Sequence, residues 1–335
     1  MGKRPAAKVK RLMYRRASWT NQKKETLENL LKKCHETYKT TAERTFKGLY
    51  GTELQCAKYT TKEKIGLLFQ IASYVPGQPT SAIQESSPST TASGITEVPA
   101  PAGNNFLDGD VFVLISGNNV IIMQSGVRES VALNYFSKML DKNEYTEASI
   151  SLELHGIAKE DKVKMIKSQG VKSIELDASL YEASLMQLKK EAEKKRETKI
   201  LDLPGAVVET LRQVFAKDKS LKEITKKENV NIKLSISFDG KEARRKVNKK
   251  DTSFGVVGKS RLEKASELII KECVEENYEG FTIVTGDNNR IKSGEIVVSD
   301  NYRVKTFGNS LDQDDAFEKL QEYFAQLQHR GTLAK

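Results

Sequence analysis

The sequence predicts an α+β protein with mixed or antiparallel sheets, flanking helices and a two-part architecture. Three observations lead there. Short runs with apolar side chains at every second position recur along the chain, as half-buried strands require. Amphipathic helical stretches separate them without the regular strand–helix repetition of a parallel α/β sheet. A length of 335 residues is enough for two modest domains.

Taken in order, "AAKVKRLMYRR" reads as an opening strand with charges at alternate positions. In "TNQKKETLENLLKKCHETY", Leu27, Leu30, Leu31 and Cys34 fall at helical spacing, which predicts an amphipathic helix. "GTELQCAKYTTKEKIGLLFQIASYVPG" is read as two strands. From 76 to 105 the composition changes, for five of the seven prolines stand there among serines and threonines. Such a segment buries too little apolar surface to offset its chain entropy, so a disordered insertion is expected. "DGDVFVLISGNNVIIMQSG" has the form of a β-hairpin about a Gly-Asn-Asn turn, and "VRESVALNYFSKMLDK" that of a helix. "ASISLELHGI" is expected to place Ile150, Leu152 and Leu154 on one side of a strand. The helix "AKEDKVKMIKSQG" and the strand "VKSIELDAS" would complete a β-α-β unit.

Beyond them, "LYEASLMQLKKEAEKKRETK" and "LPGAVVETLRQVF" read as helices and "NVNIKLSISFDG" as a strand. "SRLEKASELIIKECVEEN" reads as a helix with Ser260 and Glu263 as a capping box. "GFTIVTGDNNRIKSGEIVVSDNYRVKTFG" supplies two or three strands, and "DDAFEKLQEYFAQLQ" is a closing helix with acids at its favourable end. The expected division is an N-terminal α+β domain over 1–145, containing the insertion 76–105, and a C-terminal α+β domain over 146–335.

Several function classes lose support from composition alone. No stretch nears the roughly 20 apolar residues of a membrane helix, and no apolar run of signal-peptide length follows the charged N-terminus. A cytoplasmic protein is expected. The three cysteines are odd in number and widely spaced, as buried thiols of a reducing compartment would be. The three histidines are equally scattered, so neither a metal nor a cofactor is expected.

"GVVGKSR" resembles the end of a phosphate-binding loop, but the first glycine of that motif falls on Ser253, and the segment before it is charged rather than an apolar strand. Nucleotide hydrolysis is therefore not expected. The nearest approach to a metal-dependent nuclease is Glu175 and Asp177, alternate carboxylates on one strand.

The positive charge is more informative. The chain carries a net +10, and between Lys241 and Arg261 eight basic residues face two acids. Clustered cations release condensed counterions on meeting a polyanion, which gives sequence-independent, salt-sensitive binding. The candidate nucleic-acid-binding residues are Arg244, Arg245, Lys246, Lys249, Lys250, Lys259 and Arg261, joined by Arg290 and Lys292 on the following hairpin. The backbone amides of "GVVGKS", opening a helix, would receive a phosphate oxygen. A second cluster is Lys3, Arg4, Lys8, Lys10, Arg11, Arg15 and Arg16, with no acid before Glu25; Arg303 and Lys305 lie on a later strand.

"HGIAKEDKVKMIKSQGVKSIELDAS", followed by the basic strand region "IKLSISFDGKEARRKV", resembles the RexA-like phage exclusion proteins over about 150–250. That resemblance implies a non-enzymatic, dimeric, sequence-nonspecific DNA binder in anti-phage defence, working with a membrane-acting partner. The expected function is sequence-nonspecific binding of double-stranded DNA (or RNA). The alternatives are a metal-dependent nuclease built on Glu175 and Asp177, and a non-enzymatic scaffold that docks through its amphipathic C-terminal helix.

Overall fold

The computed structural model describes residues 6–22, 25–48, 50–86, 91–179, 231–237, 253–276 and 280–333. Its elements begin with β1 (Ala7–Ser18), α1 (Leu27–Thr37), β2 (Thr45–Lys47), β3 (Glu53–Lys62), β4 (Gly66–Tyr74), β5 (Thr80–Ile83) and β6 (Ile95–Val98). There follow β7 (Leu107–Ser116), β8 (Asn119–Ser125), α2 (Ser130–Lys142), α3 (Thr146–Ser151), β9 (Glu153–Gly156), α4 (Glu160–Gln169) and β10 (Val171–Ser179). The remainder comprises β11 (Asn231–Ser237), α5 (Ser253–Glu276), β12 (Phe281–Thr285), β13 (Arg290–Lys292), α6 (Ser293–Ile296), β14 (Ser299–Phe307), β15 (Ser310–Leu311) and α7 (Gln313–His329). The α+β class is the one observed.

The chain divides into two units, but not at 145. The first comprises Met1–Ile157 and Val297–Lys335, and the second is Ala158–Ile296. The end of the chain returns to the first unit because β14 pairs with β1 and α7 covers the sheet to which they belong.

Among the described residues the first unit holds a nine-stranded sheet in the order β15-β14-β1-β8-β7-β4-β3-β2, with β9 also pairing with β1. Successive strand residues point to opposite faces, and here both faces are covered. Leu67, Phe69, Ile71, Val111, Val113, Ile115, Val120 and Ile122 pack with Leu31 of α1 and Tyr135, Phe136 and Met139 of α2. Leu68, Phe112, Leu114, Ile121 and Met123 pack on the other side against Phe317, Leu320 and Phe324 of α7. This accounts for the unbroken apolar runs of β7 and β8, since a strand covered on both sides has no polar face. The helices start where their caps dictate. Thr26 accepts from the amide of Asn29, and Asp312 from that of Asp315, each satisfying one orphan donor of a first turn.

Gly66 opens β4 at φ +118, and a Cβ there would stand 2.0 Å from the Ile115 carbonyl oxygen. Gly66→Ala is accordingly expected to destabilise the protein by about 2 kcal/mol or more, which urea denaturation measures. An unchanged midpoint would show that β7 yields to the extra methyl group.

In the second unit β11-β10-β12-β13 form an antiparallel sheet, on which α5 packs against β10 and α4 against β12. Gly170 ends α4 at φ +69, the conformation glycine supplies at lowest cost.

Three expectations need correction. The strand expected over 148–157 is confined to Glu153–Gly156, because residues 146–151 form a helix on which Ile150 stands 81% exposed; six residues of small and β-branched character are too few for propensity to decide. No β-α-β crossover forms, because β9 pairs with β1 while β10 pairs with β11 and β12, so α4 joins strands of different sheets. The insertion 76–105 is not wholly without structure, for β5 and β6 pair within it as a two-stranded ribbon. The expected helices over 180–199 and 203–215 lie outside the described residues.

Candidate nucleic-acid interface

The geometry of β1 follows from its alternating sequence. Leu12 and Tyr14 turn toward α7 and are fully buried, so the odd-numbered residues Val9 and Arg11 lie on the other face. β14 runs antiparallel beside it, with Ala7 opposite Lys305, Val9 opposite Arg303 and Arg11 opposite Asn301. On β14 the even residues face the helix: Val304 is fully buried, and the Tyr302 ring lies 5.9 Å from that of Tyr323. Arg303 and Phe307 are left outward with Val9, which is 69% exposed, and Phe307 is 76% exposed. Cations two residues apart on a strand are roughly 7 Å apart, and the next strand lies about 4.8 Å away. The result is a flat patch on which cationic and apolar side chains alternate.

The cations of this patch differ in how they are held. Arg303 makes no ion pair among the described residues and is exposed. Arg11 donates its Nε hydrogen to Ser299 Oγ at 3.1 Å. Lys305 Nζ lies 3.7 Å from Asp315 Oδ1, while its backbone amide donates to Asp315 Oδ2 at 2.7 Å. Lys8, exposed, and Lys10, half-buried, alternate with the patch residues and lie on the α7 side of β1. Burial, and then the neighbouring Lys8, hold the Lys10 ammonium below its usual range, against an opposing pull from Asp110. Asp110 is fully buried, and burial raises its carboxyl above the ordinary range although Ser310 and Gln70 donate hydrogen bonds to it. Arg15 does not belong to the patch, since it is 1% exposed and paired with Glu129.

The predicted site residues fare unequally. Arg244, Arg245, Lys246, Lys249 and Lys250 lie outside the described residues, and so do the side chains of Lys259 and Arg261, whose backbone is in α5. The phosphate-grip reading of "GVVGKS" is narrowed to Gly255 and Val256, in the first turn of α5. α5 starts at Ser253, so the amides of Gly258 to Ser260 fall within a helix whose orphan donors belong to its first four residues. Ser260 is likewise interior to α5, not at its N-cap position. The helix runs through Gly255 and Gly258 although glycine and valine are weak helix formers.

Arg290 and Lys292 project from the same side of edge strand β13, where Ile291 between them is buried. Lys292 is exposed. The Arg290 guanidinium, however, forms a forked pair with Glu175, its Nη1 donating to Oε1 at 2.9 Å and its Nη2 to Oε2. One candidate cation and one candidate metal ligand are thus joined in a single ion pair. The forked guanidinium engages the two carboxylate oxygens a metal would need, and the carboxylate offsets the charge of Arg290. The side chain of Asp177 lies outside the described residues. Among the described residues, no three His, Cys, Asp or Glu side chains converge as metal ligands, no helix is long and apolar enough to cross a membrane, and all three cysteines are buried thiols.

Sequence reasoning kept the cations of the N-terminus apart from those of 303–305 and missed that Arg11 shares a face with Arg303 and Lys305, while Lys8 and Lys10 fall on the α7 side. The signal that could have shown it was the i, i+2 spacing of Arg303 and Lys305 on a strand whose alternate residues are apolar. No protein-family model and no curated protein matches this chain.

Proposed function

We propose that this chain binds nucleic acid, double-stranded DNA in the first instance, through its sugar–phosphate backbone and without reading sequence. The observation that carries the reading is the pairing of β1 with β14, which sets exposed Arg303 in register beside the basic N-terminal strand. Neutralising several phosphates at such a face releases counterions and yields affinity that falls steeply with salt. The Lys241–Arg261 segment, in sequence the richest in cations, is a second candidate for phosphate contact, in the other unit. The resemblance of the chain to the RexA-like exclusion proteins supports a role in anti-phage defence, in the cytoplasm and with a membrane-acting partner.

Gel shifts at rising salt test this. The wild-type chain is expected to retard two unrelated duplexes equally. Arg303→Gln should lower the slope of log affinity against log salt by about 1, roughly the one phosphate no longer neutralised. Loss of the shift only on changing Arg244, Arg245 and Lys246 would move the site to that segment. No retardation even at low salt would end the proposal, and a plasmid cut in the presence of Mg²⁺ or Mn²⁺ would favour the nuclease alternative.

A further inference from the structure

β4 and β7 pair with each other as far as Tyr74 and Leu107, and the chain between them folds back as the β5–β6 ribbon. In it Ile83 lies directly opposite Ile95, and Ser81 opposite Glu97. Both isoleucines are 71% exposed. Among the described strands nothing pairs with either outer edge of the ribbon. A two-stranded ribbon is marginal by itself in water, and open edges without a lysine or a bulge are templates for association.

Charge narrows the choice of partner. Between Lys64 and Arg128 the sequence has no lysine or arginine, and Glu85 and Glu97 stand exposed on or beside the ribbon. A phosphate chain is repelled by such an arm; an apolar surface carrying cations is attracted. The β1–β14 face is a surface of that kind. Of the eight large apolar side chains that stand exposed among the described residues, Val9 and Phe307 belong to that face and Ile83, Ile95 and Val98 to the ribbon. Strand registers put both at one end of the sheet. Leu12, Met123 and Phe112 form a row across β1, β8 and β7, and Val9 and Leu107 both lie on the same side of it.

We propose that the ribbon of one copy docks on the β1–β14 face of a second copy, Ile83 and Ile95 covering Val9 and Phe307 while Glu97 meets Arg303. Its own ribbon rises from β7, separated from β1 by β8, and stands exposed, which favours the second copy as the occupant. Strands of four residues bury less than a standard interface, so the association is weak and concentration-dependent. One consequence rests on the nucleic-acid reading: the docked ribbon and nucleic acid compete for Arg303, so DNA separates the two copies.

Sedimentation equilibrium of the full chain over a wide concentration range tests the docking. The expected mass rises from that of one chain toward that of two. Ile83→Ser/Ile95→Ser and, separately, Val9→Ser/Phe307→Ser should each weaken the association by roughly tenfold or more. Glu97→Lys should weaken it as well, and adding Arg303→Glu in the same chain should restore it, while thermal melting stays unchanged because these positions are exposed. A single-chain mass at every concentration overturns the proposal, as does association indifferent to either double serine variant or a charge swap that restores nothing. A single-chain mass combined with tighter DNA binding by Ile83→Ser/Ile95→Ser overturns the second copy in favour of the chain's own ribbon. Association that needs ribbon and face yet ignores added DNA sustains the docking and removes the nucleic-acid reading.

Discussion

Replacing Glu129 by alanine is expected to cost about 3 kcal/mol of folding stability, a large effect for a residue at a helix end. Arg15 sits on β1 with 1% of its surface exposed. Its guanidinium lies 3.1 Å from Glu129 Oε2, and its Nη1 donates to the Tyr14 carbonyl at 3.3 Å. An arginine cannot shed its proton in this environment, so removing the carboxylate leaves a buried cation with much of its compensation gone. Glu129 also occupies the N-cap position of α2, where a negative charge interacts favourably with the helix dipole. Burying the pair was itself costly, which leads to the second half of the expectation. Arg15→Met with Glu129→Leu should lose far less than Glu129→Ala alone, because packed apolar groups need no desolvation repaid. A double-mutant cycle by urea denaturation measures both. If Glu129→Ala shifts the midpoint no more than a surface substitution does, the pair is not what holds β1 to α2. Arg15→Met should also leave the salt slope of DNA binding unchanged, since the buried guanidinium reaches no phosphate.

The second large effect concerns pH. His35 lies in the first unit's core, its Nδ1 2.8 Å from the Leu31 carbonyl and its Nε2 3.1 Å from the Tyr135 hydroxyl. Its ring stacks on Tyr59 with centroids 4.4 Å apart. In the neutral tautomer that satisfies both contacts, Nδ1–H donates to the carbonyl and Nε2 accepts from the hydroxyl. Protonation would turn Nε2 into a donor and place a charge in the core. Burial lowers the imidazole pKa from 6.5 to about 4, against a smaller upward pull from the Leu31 carbonyl and a further lowering from Arg44. A base with a lowered folded pKa stays unprotonated in the folded chain where the unfolded chain binds a proton. Its contribution to stability is therefore intact above pH 6.5 and is lost progressively as pH falls from 6.5 toward 4, by about 3 kcal/mol in total. His35→Phe should be less stable at pH 7.5, since it removes one hydrogen-bond partner of the Tyr135 hydroxyl, yet flatter across that window. Urea denaturation at a series of pH values separates the two chains. Parallel pH profiles for wild type and variant would show that His35 titrates in the folded core.

Much of the fold was legible because its signals are local. Alternation in β1 and β14, the apolar runs of β7 and β8, and the periodicity of α1, α2 and α7 each follow from which side chains must leave water. The errors arose where local signals were weak or where the partner was remote. Thr146 to Ser151 carries no strong preference, and β9 reveals its partner only by reaching β1 in space. The glycines of 255 and 258 suggested a loop that helix propagation from Ser253 overrode.

The candidate site divides in the same way. Composition alone determined that this chain is a net cation with its positive charge gathered in segments, that it holds no periodic metal-ligand pattern, and that a stretch of its middle carries no positive charge at all. Tertiary structure decided which of those charges act together. It buried Arg15, locked Arg290 onto Glu175, and set Arg303 beside β1 across nearly three hundred residues of chain. Charge is a property of each residue and can be counted along a sequence, whereas a field is a sum over distances. Those distances exist only once the strands have paired.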